Sequence, residues 1–525
     1  MFKGNEIKHY LKKIYKLTVG SKSDVIVFLF SAALGLYSLL LSLYYSIFGD
    51  KYFNTDIARH FLLVEDAVNK SYLPLIGARS GGIPGTFFGP LWIYLNIPVF
   101  QFFNGNPAAI MSFWYILVLL TVILTALLAY KVFGWQSALV SGAIFLYYGV
   151  NFSMGFTSSF LSVILSPVIF YLIYRFWQDK RLSQLLLLIF FNGLMLQFQP
   201  AFGIILLAMN TVCIIYLLFK FKKLHYLLSY LVLVIPLATY IVFELRHNFL
   251  EISSLLKFLF QNQPHASSIN FVSLVLNRFG GFMGRLNLLE NPSVWIGWAF
   301  IVLNIYIFIK AYLMPKNDKK RLFLLIFYCF YFAFWIITLF FRGWVWDPYS
   351  LGFLPIAVVA FSTLYHFNRK VFLVVFALMF LYFMNSNLKY PSSEQNFSRY
   401  DSSSWKRNEK VAESIFTNAG NNFGYFVFSP DEFGYTGKYA MDFVQRQFPE
   451  KKAVLCQKEK ETYIIYFPSL GANDWLYWKN NKVHINVSPV ETMGLGPIKV
   501  EKYLLSQAQT KIAVDPNLIC NLQFR

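Results

Sequence analysis

Carboxylates are scarce over most of this chain. The 525 residues include 26 Asp and Glu, yet only twelve of them fall within residues 1–386. None of the twelve sits in the middle of an apolar run. Ion-coupled transporters place ionisable groups within the bilayer, so this scarcity argues against one. Charged residues of both signs make up only 14% of the chain, against about 25% in soluble domains, which excludes an ordinary soluble protein. Cysteine is rarer still, with four in all, and the seven His are scattered. There is no Cys-x-x-Cys or His-Glu-x-x-His, so no structural zinc site is expected.

Apolar and aromatic side chains fill the gap, at 57% and 20% of the chain. Residues 25–48 form an apolar run longer than the roughly 20 residues a helix needs to cross a bilayer. That run is too long for a cleaved signal, and no small-residue cleavage site follows it. The formal net charge of +20 would suit nucleic acid, but its distribution does not, so no nucleic-acid partner is expected. Twenty of the 46 Lys and Arg flank apolar runs on one side: Lys3, Lys8, Lys12, Lys13, Lys16, Lys22, Lys131, Arg175, Lys180, Arg181, Lys220, Lys222, Lys223, Lys310, Lys316, Lys319, Lys320, Arg321, Arg369 and Lys370. The turns 151–156, 197–200 and 343–349 between them are nearly free of positive charge. Positive loops stay cytoplasmic, which predicts a multi-pass cell-membrane protein with a cytoplasmic N-terminus and an extracytoplasmic C-terminal part.

About eleven spans satisfy that alternation, near 25–48, 108–131, 136–151, 157–177, 182–197, 200–219, 225–245, 294–313, 322–341, 349–366 and 370–386. Residues 91–103 are excluded, because a 13-residue run containing Pro98 is too short to span and reads as interfacial. The predicted order is a basic cytoplasmic segment (1–24), a transmembrane domain (25–386), a Ser/Asn/Tyr-rich linker (387–404) and an extracytoplasmic domain (405–525). Two outer segments are large, 49–107 and 246–293. The second should carry surface helices, one near Ser253 and another ending at Gly280 and Gly281. The fold class is therefore a polytopic all-α membrane domain with juxtamembrane helices in its first outer loop, plus a small C-terminal α+β domain. In that domain 405–418 reads as a helix, and 423–429, 453–456, 461–467 and 482–487 read as strands. Cys456 and Cys520 are its only cysteines, and an oxidising compartment permits a disulfide between them.

Of the twelve carboxylates, Glu6, Asp24, Asp179 and Asp318 lie beside Lys-rich segments. The other eight (Asp50, Asp56, Glu65, Asp66, Glu244, Glu251, Glu290 and Asp347) all map to the outer side. Directly after the first run comes Phe53-Asn-Thr-Asp56-Ile-Ala-Arg59-His60, in which Thr55 can cap a helix and Asp56 favours its positive end. Asp56, Arg59 and His60 would share one face of that helix. A capping acid with an i,i+3 ion pair is the plain reading. The functional one is a carboxylate and a cation at the level of a lipid phosphate. Glu65 and Asp66 read as solvated helix residues, and Asp347 as a turn former.

The order of these segments carries a resemblance. A span, then an Asp opening an amphipathic helix, then Pro74-Leu-Ile-Gly, then Phe88-Gly-Pro-Leu-Trp-Ile-Tyr-Leu resembles the C superfamily of membrane glycosyltransferases, over about residues 25–385. Within it the chain is similar to the protein O-mannosyltransferase and aminoarabinose transferase branch. The Asp56-x-x-Arg59 spacing resembles aminoarabinose transferases. Mannosyltransferases carry Asp-Glu where this chain has Asp-Ile. Phe243-Glu244-Leu-Arg246-His247 resembles a segment of uncharacterised bacterial members. The resemblance implies transfer of a sugar from a polyprenyl-phosphate donor to a glycan, lipid or protein acceptor at the outer face. Asp56 would be general base. Arg59, Arg246 and His247, with Arg79 next, would hold the lipid phosphate. His60, Glu244, Asp66 and Asp347 would stand behind them, Glu244 pairing with Arg246 or Arg59. Divalent-metal use stays open, since some members need one and others do not; no metal ligands are assigned. A flippase or transporter of lipid-linked sugars, or a non-catalytic envelope assembly protein, remains the alternative.

Overall fold

The structure is a computed structural model that describes residues 21–80, 83, 85–260, 270–290, 293–341, 345–469, 471 and 474–520. The N-terminal lysines through Lys16, Glu6, and Gly343 lie outside the described residues.

Each of the eleven expected spans falls on a helical segment. Seven are long and apolar enough to cross a membrane: Lys22–Phe48, Pro107–Phe133, Ser158–Asp179, Pro200–Lys220, Val294–Leu313, Lys319–Thr338 and Arg369–Tyr400. The 27 residues of Lys22–Phe48 rise about 1.5 Å each, roughly 40 Å in all, against a core of about 30 Å. Trp135–Phe152, Leu182–Phe198 and Leu351–Phe367 are the shorter members. One expected span needs correction. Residues 225–245 are not straight: the 3-10 run Leu224–Val234 and the helix Ala238–Arg246 meet at 74°. Pro236 lies at the break, where its ring and missing N–H cannot continue a helix.

Small residues let the membrane helices approach. Ser31, Gly35, Ser38 and Ser42 form the buried stripe of Lys22–Phe48, and a Cβ on Gly35 would lie 3.7 Å from Ala143. Leu36, Leu40 and Ile47 are exposed on the other side, as lipid-facing residues should be. The segment 387–404, read as a linker, is helical through Tyr400. Tertiary contacts override its polar composition. Asn387 Nδ2 donates to Ser38 Oγ at 2.8 Å, Tyr390 packs on Tyr45, and Glu394 accepts from the Asp50 N–H at 2.7 Å.

Four helices outside the spans and a hairpin cover one end of the bundle. Thr55–Asn69 and the 12-residue Leu91–Phe102 flank a short antiparallel pairing in which Gly77 and Ser80 N–H donate to Phe88 and Thr86 carbonyls. Gly89 is required there by close approach: a Cβ would fall 1.9 Å from Gln197 Oε1. In the second outer segment, Leu250–Phe260 is one surface helix. The other, Phe271–Leu286, runs through Gly280 and Gly281 rather than ending at them. Gly281 lies against the Trp335 ring, so its missing side chain serves helix contact and not termination.

The C-terminal domain is a five-stranded sheet, β1 (Asn422–Phe428), β2 (Lys452–Leu455), β3 (Glu461–Tyr466), β4 (Glu491–Leu495) and β5 (Ile498–Leu504), in the order β2-β1-β3-β5-β4. The β1 pairings are parallel, and β3–β5 and β4–β5 antiparallel. Residues 482–487 are not a strand: Lys482 and Val483 end a π-turn over Lys479–Val483, and β4 and β5 complete the sheet instead. The helices Trp405–Asn418 and Tyr435–Gln445 cover one face, and the same apolar cluster takes in Phe53, Ile57 and Phe61 of the first outer loop. The domain is therefore docked on the loop that carries Asp56. Cys456 and Cys520 form a disulfide.

Candidate functional site

The Thr55–Asn69 helix begins seven residues beyond the first span, capped by Asn54, whose Oδ1 accepts from Ile57 N–H at 3.0 Å. Thr55, expected as the cap, is the first helical residue instead, and its hydroxyl donates to Asp431 of the C-terminal domain. Asn54 has the shorter reach to the free N–H groups. Asp56 follows with its side chain 59% exposed. Arg59 Nη2 lies 2.9 Å from Asp56 Oδ1, and Nη1 donates to the Arg79 carbonyl at 3.4 Å. Arg79 thus joins through its backbone, its own side chain being exposed.

His60 departs from the expected shared face. It is buried beside Phe61, Trp92 and Asn96, with Nε2 3.4 Å from Ser158 Oγ. Burial, aided by the Arg59 charge, pushes its pKa down to about 3, so it is neutral. At 100° per residue, position 60 has turned past the solvent edge that Asp56 and Arg59 occupy. Glu65 is likewise not solvated: it is buried and ion-paired with Arg446 of the C-terminal domain. Asp66 binds Lys70 at 2.6 Å and the Tyr72 hydroxyl at 2.7 Å.

An apolar cleft of about 450 Å³ opens between the two outer segments and the membrane helices. Phe87, Ile204, Leu237, Ile241, Leu255 and Phe341 supply its walls, and Tyr349 also lines it. The Tyr349 hydroxyl is pushed up, mainly by burial and further by the charge of Asp56. Glu244 is at the wall but does not pair with Arg246 or Arg59 as expected. It accepts from the N–H groups of Glu251 (2.9 Å) and Ile252 (3.2 Å), capping the next helix. Glu251 accepts from Phe87 N–H at 2.6 Å, and burial raises its pKa to about 7. Arg246 and His247 are exposed at the end of the helix whose Tyr240, Ile241 and Glu244 line the cleft, with His247 stacked on Phe243. Among the described residues neither lines the cleft.

Arg285 was not anticipated. Its side chain is only 14% exposed, 3.6 Å from the Asp347 carboxylate, and donates to the Asp347 carbonyl (3.0 Å) and Ser350 Oγ (3.1 Å). Two residues beyond Asp347 stands Tyr349, so the guanidinium of Arg285 holds the turn that brings Tyr349 to the cleft. The one local signal was a lone Arg in the last turn of an amphipathic helix. On the opposite side of Asp56, Asn54 and Thr55 line a polar cleft of about 200 Å³ with Ser402, Ser403, Asp431 and Thr436.

Several solved structures are similar to the chain. ArnT from Cupriavidus metallidurans bound to undecaprenyl phosphate is similar over 93% of this chain and 99% of its own, with 12% identity and a TM-score of 0.48. Its apo state has 11% identity and a TM-score of 0.49, over 90% of this chain and 97% of its own. The archaeal oligosaccharyltransferase AglB from Archaeoglobus fulgidus, in complex with an inhibitory peptide and a dolichol-phosphate, covers 83% of this chain and 69% of its own, with 12% identity and a TM-score of 0.43. No protein-family model and no curated protein sequence matches the chain.

Among the described residues no three of His, Cys, Asp and Glu gather to hold a metal ion. The nearest charged partner of Asp56 is a guanidinium and not a second carboxylate, which does not suit a divalent cation.

Proposed function

We propose that this chain is an integral-membrane glycosyltransferase that moves a sugar from a polyprenyl-phosphate donor to a hydroxyl-bearing acceptor. The observation that carries this reading is an exposed carboxylate, Asp56, paired with Arg59, together with an apolar cleft lined by Tyr349, two residues beyond Asp347, the partner of Arg285. Asp56 takes the acceptor hydroxyl proton as its oxygen attacks the anomeric carbon. The bond from that carbon to the phosphate oxygen breaks, and the polyprenyl phosphate leaves with the electron pair. Charge grows on that phosphate, and Arg285 is the cation held ready for it, with a planar fork suited to phosphate oxygens. Arg59 orients Asp56 through its guanidinium hydrogen bond. The apolar cleft takes the first isoprene units, and Arg246 and His247 flank its rim. The polar cleft at Thr55 and Asp431 is the acceptor side, its hydroxyls and carboxylate matching a glycan's hydrogen-bonding groups.

The reaction face is the extracytoplasmic one, with the N-terminus cytoplasmic. Two observations support that orientation: the one-sided lysines and the Cys456–Cys520 disulfide in the domain docked over Asp56. The test is transfer from labelled sugars on polyprenyl phosphate in membranes holding equal amounts of wild type and Asp56→Asn. Transfer by wild type, reduced at least a hundredfold in the variant, supports the reading. Equal transfer by both removes Asp56 from catalysis. Movement of the intact lipid across the bilayer with no transfer from any donor replaces the enzyme with a flippase.

A further inference from the structure

A second charged cavity lies apart from the cleft, where the end of Arg369–Tyr400, the start of Trp405–Asn418 and the β4–β5 turn meet. Its volume is about 460 Å³, and Arg399, Lys406, Arg407 and Lys410 line it, with Gly494 and Gly496. Among the described residues none of these four cations is ion-paired. Lys406 Nζ spends one N–H on the Phe48 carbonyl at 3.0 Å, and Arg407 Nη2 donates to the Ser398 carbonyl. Arg407 Nε is buried without a hydrogen-bond partner. Asp50 and Asp401 act on Arg407 only from a distance. The oxygens of Asp50 are taken by the Lys51 and Lys406 N–H groups and the Ser404 hydroxyl. Glu409 also borders this helix turn; burial, Glu413 and Asp50 push it up to about 7, so at neutral pH it carries only part of a charge against four cations.

Three of the four cations occupy the first turns of a helix, whose N-terminal end already carries partial positive charge. Four like charges and a helix dipole converging on one concavity repel one another, and an anion relieves that repulsion. The turn is shaped for it. Gly496 has φ +63°, and a Cβ there would fall 1.8 Å from Arg407 Nη1, so only glycine leaves the guanidinium its seat. The depth identifies the source of the anion. Phe48 closes the first span, so Lys406 stands at the headgroup level of the bilayer.

We infer that this basic pocket binds the phosphate of an anionic lipid headgroup at the membrane surface, independently of the transfer reaction. Phosphate matches both the arginine fork and the lysine point charges. The experiment titrates the purified full chain in neutral detergent with dihexanoyl phosphatidic acid, dihexanoyl phosphatidylcholine and inorganic phosphate. The variants are Arg399→Gln/Lys410→Gln, whose two side chains are exposed, and Asp56→Asn. Phosphatidic acid should bind at least tenfold more tightly than phosphatidylcholine, and weaken as salt shortens the Debye length below about 10 Å. The double variant, with an unchanged melting temperature, should lose at least tenfold, while Asp56→Asn binds as wild type. Equal affinity for both lipids, or a double variant that binds as wild type, overturns the site. Displacement of the lipid by an equal concentration of inorganic phosphate overturns the headgroup source.

Discussion

Arg59 donates to Asp56 at 2.9 Å from a side chain that is 18% exposed, while the carboxylate it holds is 59% exposed. The cation is packed and the acid is presented, with the same guanidinium bonded to the Arg79 carbonyl at 3.4 Å. A lysine cannot make both contacts at once in this geometry. Arg59→Lys should therefore lower kcat about tenfold, the worth of one hydrogen bond to a charged group, and Arg59→Ala should lower it further. Donor KM measured alongside distinguishes this from a loss of binding, since KM should move less than kcat.

Arg285 answers a different question. If it meets the leaving phosphate, Arg285→Ala should cost about a hundredfold or more in kcat, the usual scale for removing one preorganised donor. Arg285→Lys should recover part of it. Because Arg285 also holds the Asp347–Tyr349 turn, melting temperatures must be compared. A variant with native melting and full activity would take Arg285 out of the reaction.

The docking of the C-terminal domain rests on Glu65 and Arg446, 381 positions apart in sequence. Arg446 also donates to the Asn104 carbonyl at 2.8 Å and lies over the Phe100 ring. Beside it Asp442 is pushed up to about 7 by burial and by Glu65. Arg446→Ala strands both acids, and with the pair partly solvated the cost should be about 2–3 kcal/mol. Thermal unfolding reads the loss, and limited proteolysis should release the domain first. Glu65→Gln in the same background should restore part of the stability.

Glu251 predicts a pH dependence. Its folded pKa, raised to about 7 by burial, lies above the ordinary glutamate value of 4.5. The folded state therefore holds the proton more tightly, and the contribution is full below about pH 4.5 and lost as pH rises through about 7. Melting temperature should fall between pH 5 and 8, and Glu251→Gln should flatten that fall. Glu244, which caps the Leu250–Phe260 helix, must be left intact in this comparison.

Much of the architecture is legible from composition alone. An apolar run of bilayer length has no soluble alternative, and the one-sided lysines follow a rule that acts on each loop separately. The helix over Trp405–Asn418 and the helix opening near Asp56 are local events of the same kind. The errors cluster where distant contacts overrule local preference. Polar residues 387–400 are helical because Ser38, Tyr45 and Asp50 hold them, and Gly281 continues a helix because Trp335 needs the space.

The site divides along the same line. Asp56 and Arg59 are three residues apart, so helical spacing alone brings them together. Arg285 and Tyr349 lie more than two hundred positions from Asp56, and the walls of the cleft are gathered from segments as far apart as Phe87 and Phe341. So do the partners Thr55–Asp431 and Glu65–Arg446. Periodicity constrains neighbours within a turn or two of helix. Which buried cation meets which acid depends on how whole helices and domains pack, because a charge removed from water must find a partner wherever the fold supplies one.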